Sequence, residues 1–336
     1  MFTINKSVSV WEQLVQLPFL NLYSRLLNAA MELDVFSQLC QPVTAEALAA
    51  HMGWHKANTE YLLSALVSIG FLNKTDGTYQ NTEEVDRYLV KGKDEYLGGF
   101  LPFYMQEGMA PMDVKLLVTK GPQSQQQEAM EQQLDFASFA QRMRQAQEGY
   151  RQQELLRIVR SLPENDQIRR VLDLGGATGL LGLAVIGDRP DRTGVLFDRF
   201  PPAVVEESIS LMGLTDRTEV MCGDFMTDRI GERYDLILAL NVMLFAKGRM
   251  EELLKKCYDA LNPGGVLLVI SEAILPDHTG PWDMVMGYLP YYFQGMDMGV
   301  LKNEVSDAAA RVGFTKCEKR TECLCSGTQD IDIIRK

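Results

Sequence analysis

Phe19, Leu22, Tyr23, Leu26, Leu27, Ala30 and Leu33 recur at spacings of three and four, which predicts an amphipathic helix. This stripe holds more large apolar side chains than a short isolated helix needs. Its cover is either a partner surface, such as a second subunit, or the rest of its own domain. Thr44 reads as the N-cap of a short helix through Met52, with Glu46 in its first turn and Gly53 closing it. A second helix is expected over Asn58–Ile69, with Tyr61, Leu62, Ala65, Leu66 and Ile69 on one face and Gly70 as its stop. Phe71–Asn73 and Tyr79–Asn81 flank Asp76-Gly77, the signature of a β-hairpin. Helix, helix and hairpin together form a winged-helix pattern.

The stretch 95–121 alternates Gly98, Gly99, Pro102, Gly108, Pro111 and Gly121 with Phe100, Phe103 and Tyr104, and reads as short helices and turns. Residues 123–133 are Gln-rich, a solvated helix face, and the helical pattern from Phe136 to Leu162 leads into a second domain near Ile168. There the pattern changes to short apolar runs: Val171–Leu174, Gly194–Phe197, Thr218–Cys222, Asp235–Leu240 and Val266–Ile270. The last follows an expected turn at Asn262-Pro263-Gly264-Gly265. Five β units separated by helices predict an α/β, doubly wound sheet with its ligand at the carboxyl ends of the strands.

A length of 336 residues fits two domains. The net charge of −12 argues against nucleic-acid and anionic-membrane partners, because an acidic surface repels phosphate. A winged helix that enters a DNA groove needs several Lys or Arg contacts. Residues 1–90 offer five basic side chains against nine acidic ones, and the second helix carries only Glu60. No run of eighteen apolar residues and no secretory leader pattern is present, so the expected compartment is the cytoplasm. Six scattered cysteines suggest neither a disulfide framework nor a zinc site, and Asp277, Asp283 and Asp297 make no cation motif. Cys323 and Cys325, two apart on an expected C-terminal strand, read as same-side packing residues.

The chemistry concentrates after the first strand of the sheet. Asp173-Leu174 leads into Gly175-Gly176-Ala177-Thr178-Gly179 and then a helix, a strand–glycine turn–helix cradle for a nucleotide. The second strand ends in Asp198, placed to accept hydrogen bonds from ribose hydroxyls. The third ends in Gly223-Asp224-Phe225 and the fourth in Asn241. Over nearly the whole chain this layout resembles the small-molecule O-methyltransferases that use S-adenosyl-L-methionine. That family pairs a winged-helix dimerisation domain with a Rossmann-like methyltransferase domain. The resemblance implies a homodimer and a small-molecule acceptor. It assigns the cofactor to Asp173, Gly175, Gly176, Gly179, Asp198, Asp224, Phe225 and Asn241. It implies a division into residues 1–115 for dimerisation, 116–167 as a helical linker contributing to the acceptor pocket, and 168–336 for cofactor binding. A nicotinamide-dinucleotide site is the rival reading of the glycine turn. The turn departs from the family's commonest form at Ala177.

The resemblance breaks after the fourth strand. Where the family carries a catalytic histidine, this chain reads Asn241-Val242-Met243-Leu244-Phe245-Ala246, with Leu244 in its place. Of three histidines, His51 and His55 lie beside the helix pair and read as surface residues, while His278 follows the fifth strand as a weak candidate base. Positioning lowers a barrier by about 7–11 kcal/mol without a base. The expected acceptor is therefore sulfur, nitrogen, carbon or an already acidic hydroxyl. Phe139 and Met143, four apart on a helix, and Tyr288, Tyr291 and Tyr292 are candidate acceptor-binding residues. The aromatic and Met-rich stretch from Trp282 to Phe293 shows no clear period and reads as a pocket wall or lid. Glu272 matches in position an acid near the family's histidine and is expected in a structural salt bridge. Two alternatives stay open: a same-fold enzyme that uses the cofactor for non-methylating chemistry, and a cofactor-sensing winged-helix regulator.

Overall fold

The structure, a computed structural model, describes residues 9–102, 112–122 and 136–336. Phe103, Tyr104, Gly108, Pro111, the Gln-rich stretch and the side chain of Phe139 lie outside the described residues. The chain divides into two compact units, residues 1–109 and 110–336.

In the first unit, α1 (Val10–Glu32) starts nine residues before the apolar stripe. It starts there because Ser9 and Glu12 form a reciprocal capping box. The 2-residue strand β1 (Val43–Thr44), α2 (Ala45–Met52), α3 (Lys56–Ser68), β2 (Leu72–Thr75), β3 (Thr78–Asn81) and α4 (Glu83–Leu89) follow. Thr44 caps α2 as expected, and Gly53 ends it with φ 69°. Helix α3 begins two residues before Asn58, because the His55 ring accepts the Asn58 N–H at 3.3 Å. Strands β1, β3 and β2 form an antiparallel sheet in that order. Leu48, Leu63, Leu66 and Tyr79 fill the core beneath it. Of α1, only Ala30 and Met31 are buried, whereas Trp11 is 72% and Leu22 66% exposed.

The second unit opens with α5 (Val114–Lys120), α6 (Phe136–Gln147) and α7 (Tyr150–Arg160). The continuous helix expected from Phe136 to Leu162 is broken at Gly149, whose φ of 65° no helical residue adopts. Then come β4 (Arg170–Leu174), α8 (Leu180–Gly187), β5 (Thr193–Asp198), α9 (Pro202–Leu211), β6 (Thr218–Cys222), β7 (Tyr234–Leu240), α10 (Met250–Ala260) and β8 (Leu261–Glu272). The chain finishes with α11 (Trp282–Phe293), α12 (Glu304–Val312), β9 (Lys316–Leu324) and β10 (Gly327–Arg335). Among the described residues these strands make a seven-stranded sheet in the order β6-β5-β4-β7-β8-β10-β9. The five expected strands run parallel, and β10 and β9 extend the sheet antiparallel.

Strand residues alternate between two apolar layers. Val171, Leu196, Leu236 and Leu268 face α7, α8 and α9, whereas Leu172, Val195, Ile237 and Leu267 face α10 and α12. This two-sided burial explains the continuous apolar runs in the sequence. Three expectations change. Asn262–Gly265 is part of β8 rather than a separate turn, and a register shift opposite Tyr234 and Leu236 absorbs it. The stretch expected to be non-periodic is the helix α11; Gly287 and Pro290 within it hide the helical signal. Cys323 is exposed on β9, while Cys325 lies past the strand end with its thiol on Glu154 at 3.3 Å, so the two do not pack side by side. No helix among the described residues is long and apolar enough to cross a membrane.

Candidate active site

The end of β4 is where backbone conformation constrains sequence most. Gly175 has φ 72°, and its N–H bonds to the Phe197 carbonyl at 2.8 Å. A Cβ there would stand 2.6 Å from Val242 Cγ1, so only glycine fits. Ala177 takes φ 54°, a left-handed conformation that costs an L-residue about 1–2 kcal/mol. Its N–H is held at 2.7 Å by Asp198 Oδ2. Gly179, at φ 79°, caps α8. Asp173 lies beneath the turn, 1% exposed, and accepts the Gly182 N–H at 3.1 Å. Burial pushes its carboxyl up to about 7. Gln147, on α6, donates to the Gly176 carbonyl at 3.0 Å and accepts from Thr178 Oγ1 at 2.6 Å. Sequence reasoning missed this clamp, because one more Gln after a Gln-rich run gives no signal.

Asp198 ends β5 and also accepts the Phe200 N–H at 3.0 Å. Asp224, just past β6, accepts the Met226 N–H at 2.8 Å and bonds to the Arg199 guanidinium. The Met226 N–H first, and Arg199 after it, hold its carboxyl below the usual aspartate range. Phe225 reaches the turn: a Cβ on Gly175 would meet its ring at 3.4 Å. Asn241 follows β7 with φ 55°, donates its N–H to Ile270 at 2.8 Å and accepts from Arg151 at 3.4 Å. All of these groups lie at the carboxyl ends of parallel strands, as expected.

Leu244 sits half-buried in a short 3₁₀ turn, Met243–Ala246, packed against the α10 side of the sheet. Glu272, the last residue of β8, is 2% exposed. The expected salt bridge is absent: its partner is a phenol, with Tyr288 of α11 donating to Oε1. Oε2 has no hydrogen-bond partner of normal geometry, although the Asn241 side chain and the Val300 N–H lie beside the carboxyl. Burial raises the Glu272 pKa, and Tyr288 only partly offsets it. The Tyr288 ring lies 6.0 Å from Tyr291 and 6.5 Å from Tyr292, so the three tyrosines come together. His278 has φ 55° and sets its ring edge-on to Tyr292 at 5.2 Å. Met143 packs against the apolar layer on the α7 side of the sheet.

Residues 122–314 match the model of the O-methyltransferase domain, and residues 15–91 match the O-methyltransferase dimerisation domain. The chain is 26% identical to the 3-hydroxy-5-methyl-1-naphthoate 3-O-methyltransferase of Streptomyces sahachiroi, over 77% of this chain and 76% of that one. It is also 26% identical to the bacteriochlorophyllide d C-20 methyltransferase of Chlorobaculum tepidum, over 92% of this chain and 89% of that one. The fold superposes on human N-acetylserotonin methyltransferase in complex with SAM with a TM-score of 0.71, at 21% identity, covering 99% of both chains. The two domain matches, carried on a strand–glycine turn–helix cradle with acids at the ends of the next two strands, make this chain a member of the O-methyltransferase family, whose methyl donor is S-adenosylmethionine.

Proposed function

We propose that this chain transfers a methyl group from S-adenosyl-L-methionine to a small molecule, and does so without the histidine that its family ordinarily uses. The observation that carries this reading is the Asp198–Ala177 hydrogen bond of 2.7 Å, which joins the glycine turn to the acid of the next strand. The turn and Asp198 would hold the methionine and ribose parts of the donor, and Asp224 and Phe225 its adenine. Asp173 and Asn241 fix the floor and the far edge of the cradle. Carboxylates suit such a ligand. Asp198 bonds to the turn itself, and an acid there favours a cationic donor and repels a dinucleotide's pyrophosphate. When bound, the donor supplies an electrophilic methyl group on a positively charged sulfur.

The acceptor would lie against Tyr288, Tyr291 and Tyr292, with sulfur, nitrogen, carbon or an acidic hydroxyl as the atom methylated. The relatives span oxygen and carbon acceptors by name, which fits a scaffold that mainly positions its reactants. The first unit is a winged-helix homodimerisation module in this reading, and the enzyme is cytoplasmic. A calorimetric titration tests the donor site: S-adenosylhomocysteine binds and a nicotinamide dinucleotide does not. The opposite result overturns the proposal.

A further inference from the structure

Resting on that reading, we infer that Tyr288 and Glu272 form a proton relay that replaces the missing histidine, and that the acceptor therefore bears a proton on the atom to be methylated. The geometry is specific. Glu272 closes β8, next to Asn241 at the end of β7, on the ligand edge of the sheet. Its side chain is buried, and among the described residues it forms no salt bridge. The groups around it are the Tyr288 phenol from α11, the Asn241 amide from the end of β7 and the Val300 N–H; Gln329 stands opposite on β10. Tyr292 and Asp297 are further titratable groups nearby among the described residues, and Arg151 donates to the Asn241 side chain. A carboxyl buried against a phenol and amide groups, with no salt bridge among the described residues, costs free energy that a purely structural site would avoid. A side chain of similar size that needs no proton partner, such as leucine, would pack there at lower cost.

The relay closes its proton balance. A bond forms between the acceptor atom and the methyl carbon, and the carbon–sulfur bond breaks with its electron pair left on sulfur. The acceptor's proton passes to the Tyr288 oxygen as the Tyr288 proton passes to Glu272 Oε1, which ends neutral and later releases its proton to solvent. Tyr288 is the catalytic residue in this scheme, and Glu272 acts through it as a positioning residue and proton store. The tyrosine rings cluster at 6.0 and 6.5 Å, tilted 46° and 41° to one another, and bring three phenols to the end of the sheet where Glu272 lies. A thioether, which has no proton to lose, gives the relay no task.

The test uses wild type, Y288F and E272Q, each first shown by calorimetry to bind S-adenosylhomocysteine with wild-type affinity. In the protein without donor, difference infrared titration should show one carboxyl band that vanishes in E272Q. That band should titrate above the ordinary glutamate range and move higher still in Y288F, which removes the donor that favours the charged form. With methyl-labelled donor and a metabolite extract, mass spectrometry should show a labelled product methylated on an atom that has lost a proton, an ether or an amine. Its rate of formation should fall about 10²–10⁴-fold in Y288F and in E272Q. The wild-type rate should fall as the pH drops through the Glu272 transition, and this acid limb should be missing from both variants. Unchanged labelling in Y288F, a labelled sulfonium product, or no E272Q-sensitive band overturns the relay while donor binding still stands. Failure of the wild type to bind S-adenosylhomocysteine overturns the methyl-transfer reading and the relay with it.

Discussion

Asp198 accepts the Ala177 N–H at 2.7 Å and the Phe200 N–H at 3.0 Å, so one carboxylate ties the turn to the end of β5, where the proposed ribose site lies. Hydrogen bonds to a charged group contribute about 1.5–3 kcal/mol. Asp198→Asn is therefore expected to raise the dissociation constant for S-adenosylhomocysteine about ten- to a hundredfold, read by calorimetry. Asp173 gives a prediction of opposite character. Its carboxyl is raised from 3.8 to about 7, so the folded state keeps a proton that the unfolded chain gives up. Its contribution to stability is complete below about pH 4 and is lost as the pH rises to about 7. Asp173→Asn stays neutral throughout, so urea melts should show the variant gaining on wild type across that interval; parallel stability curves would refute the assignment. The turn was legible in the sequence because a positive φ at Gly175 and Gly179 restricts residue type locally. The Tyr288–Glu272 bond was not, because the partners stand sixteen positions apart on a strand and a helix whose packing no local rule supplies.

At the scale of elements, Arg192 decides how α8 joins β5. It is fully buried, donates to the Val185 carbonyl at 3.0 Å and to the Asn165 carbonyl at 2.9 Å, and lies 3.6 Å from Asp188. Removing it takes the donor from both carbonyls, while Asp188 keeps its ion pair with Arg160. At about 1–3 kcal/mol for each orphaned carbonyl, Arg192→Ala is expected to cost about 2–6 kcal/mol in a denaturant melt. The sequence shows an arginine after a proline-containing loop and nothing of this burial. Helices α2 and α3 were legible to within two residues, because their caps at Thr44 and His55 and their stops at Gly53 and Ile69–Gly70 are local. Helix α11 was not, since its Gly287 and Pro290 counterfeit a loop that packing against the sheet and α5 overrides.

For the whole molecule, the telling surface is α1. Trp11 is 72%, Phe19 62% and Leu22 66% exposed in the single chain, within or just before the stretch that matches the dimerisation domain. Such a contiguous apolar face is not left to water in a soluble protein. The double variant Phe19→Glu, Leu22→Glu should sediment at half the wild-type mass, while an unchanged mass would place the dimer contact elsewhere. The sequence by itself determined the parallel strands and the glycine turn at the end of β4. Each of these depends on periodicity, on backbone conformations open to few residues, or on the sign of a nearby charge, and such constraints act over a few positions. Only the tertiary structure decided that Gln147 clamps the turn, that Glu272 faces a phenol rather than a cation, and that the antiparallel β10 and β9 complete the sheet. These depend on which distant segments share a buried space, where an unpaired polar group is costly and its partner can come from anywhere along the chain.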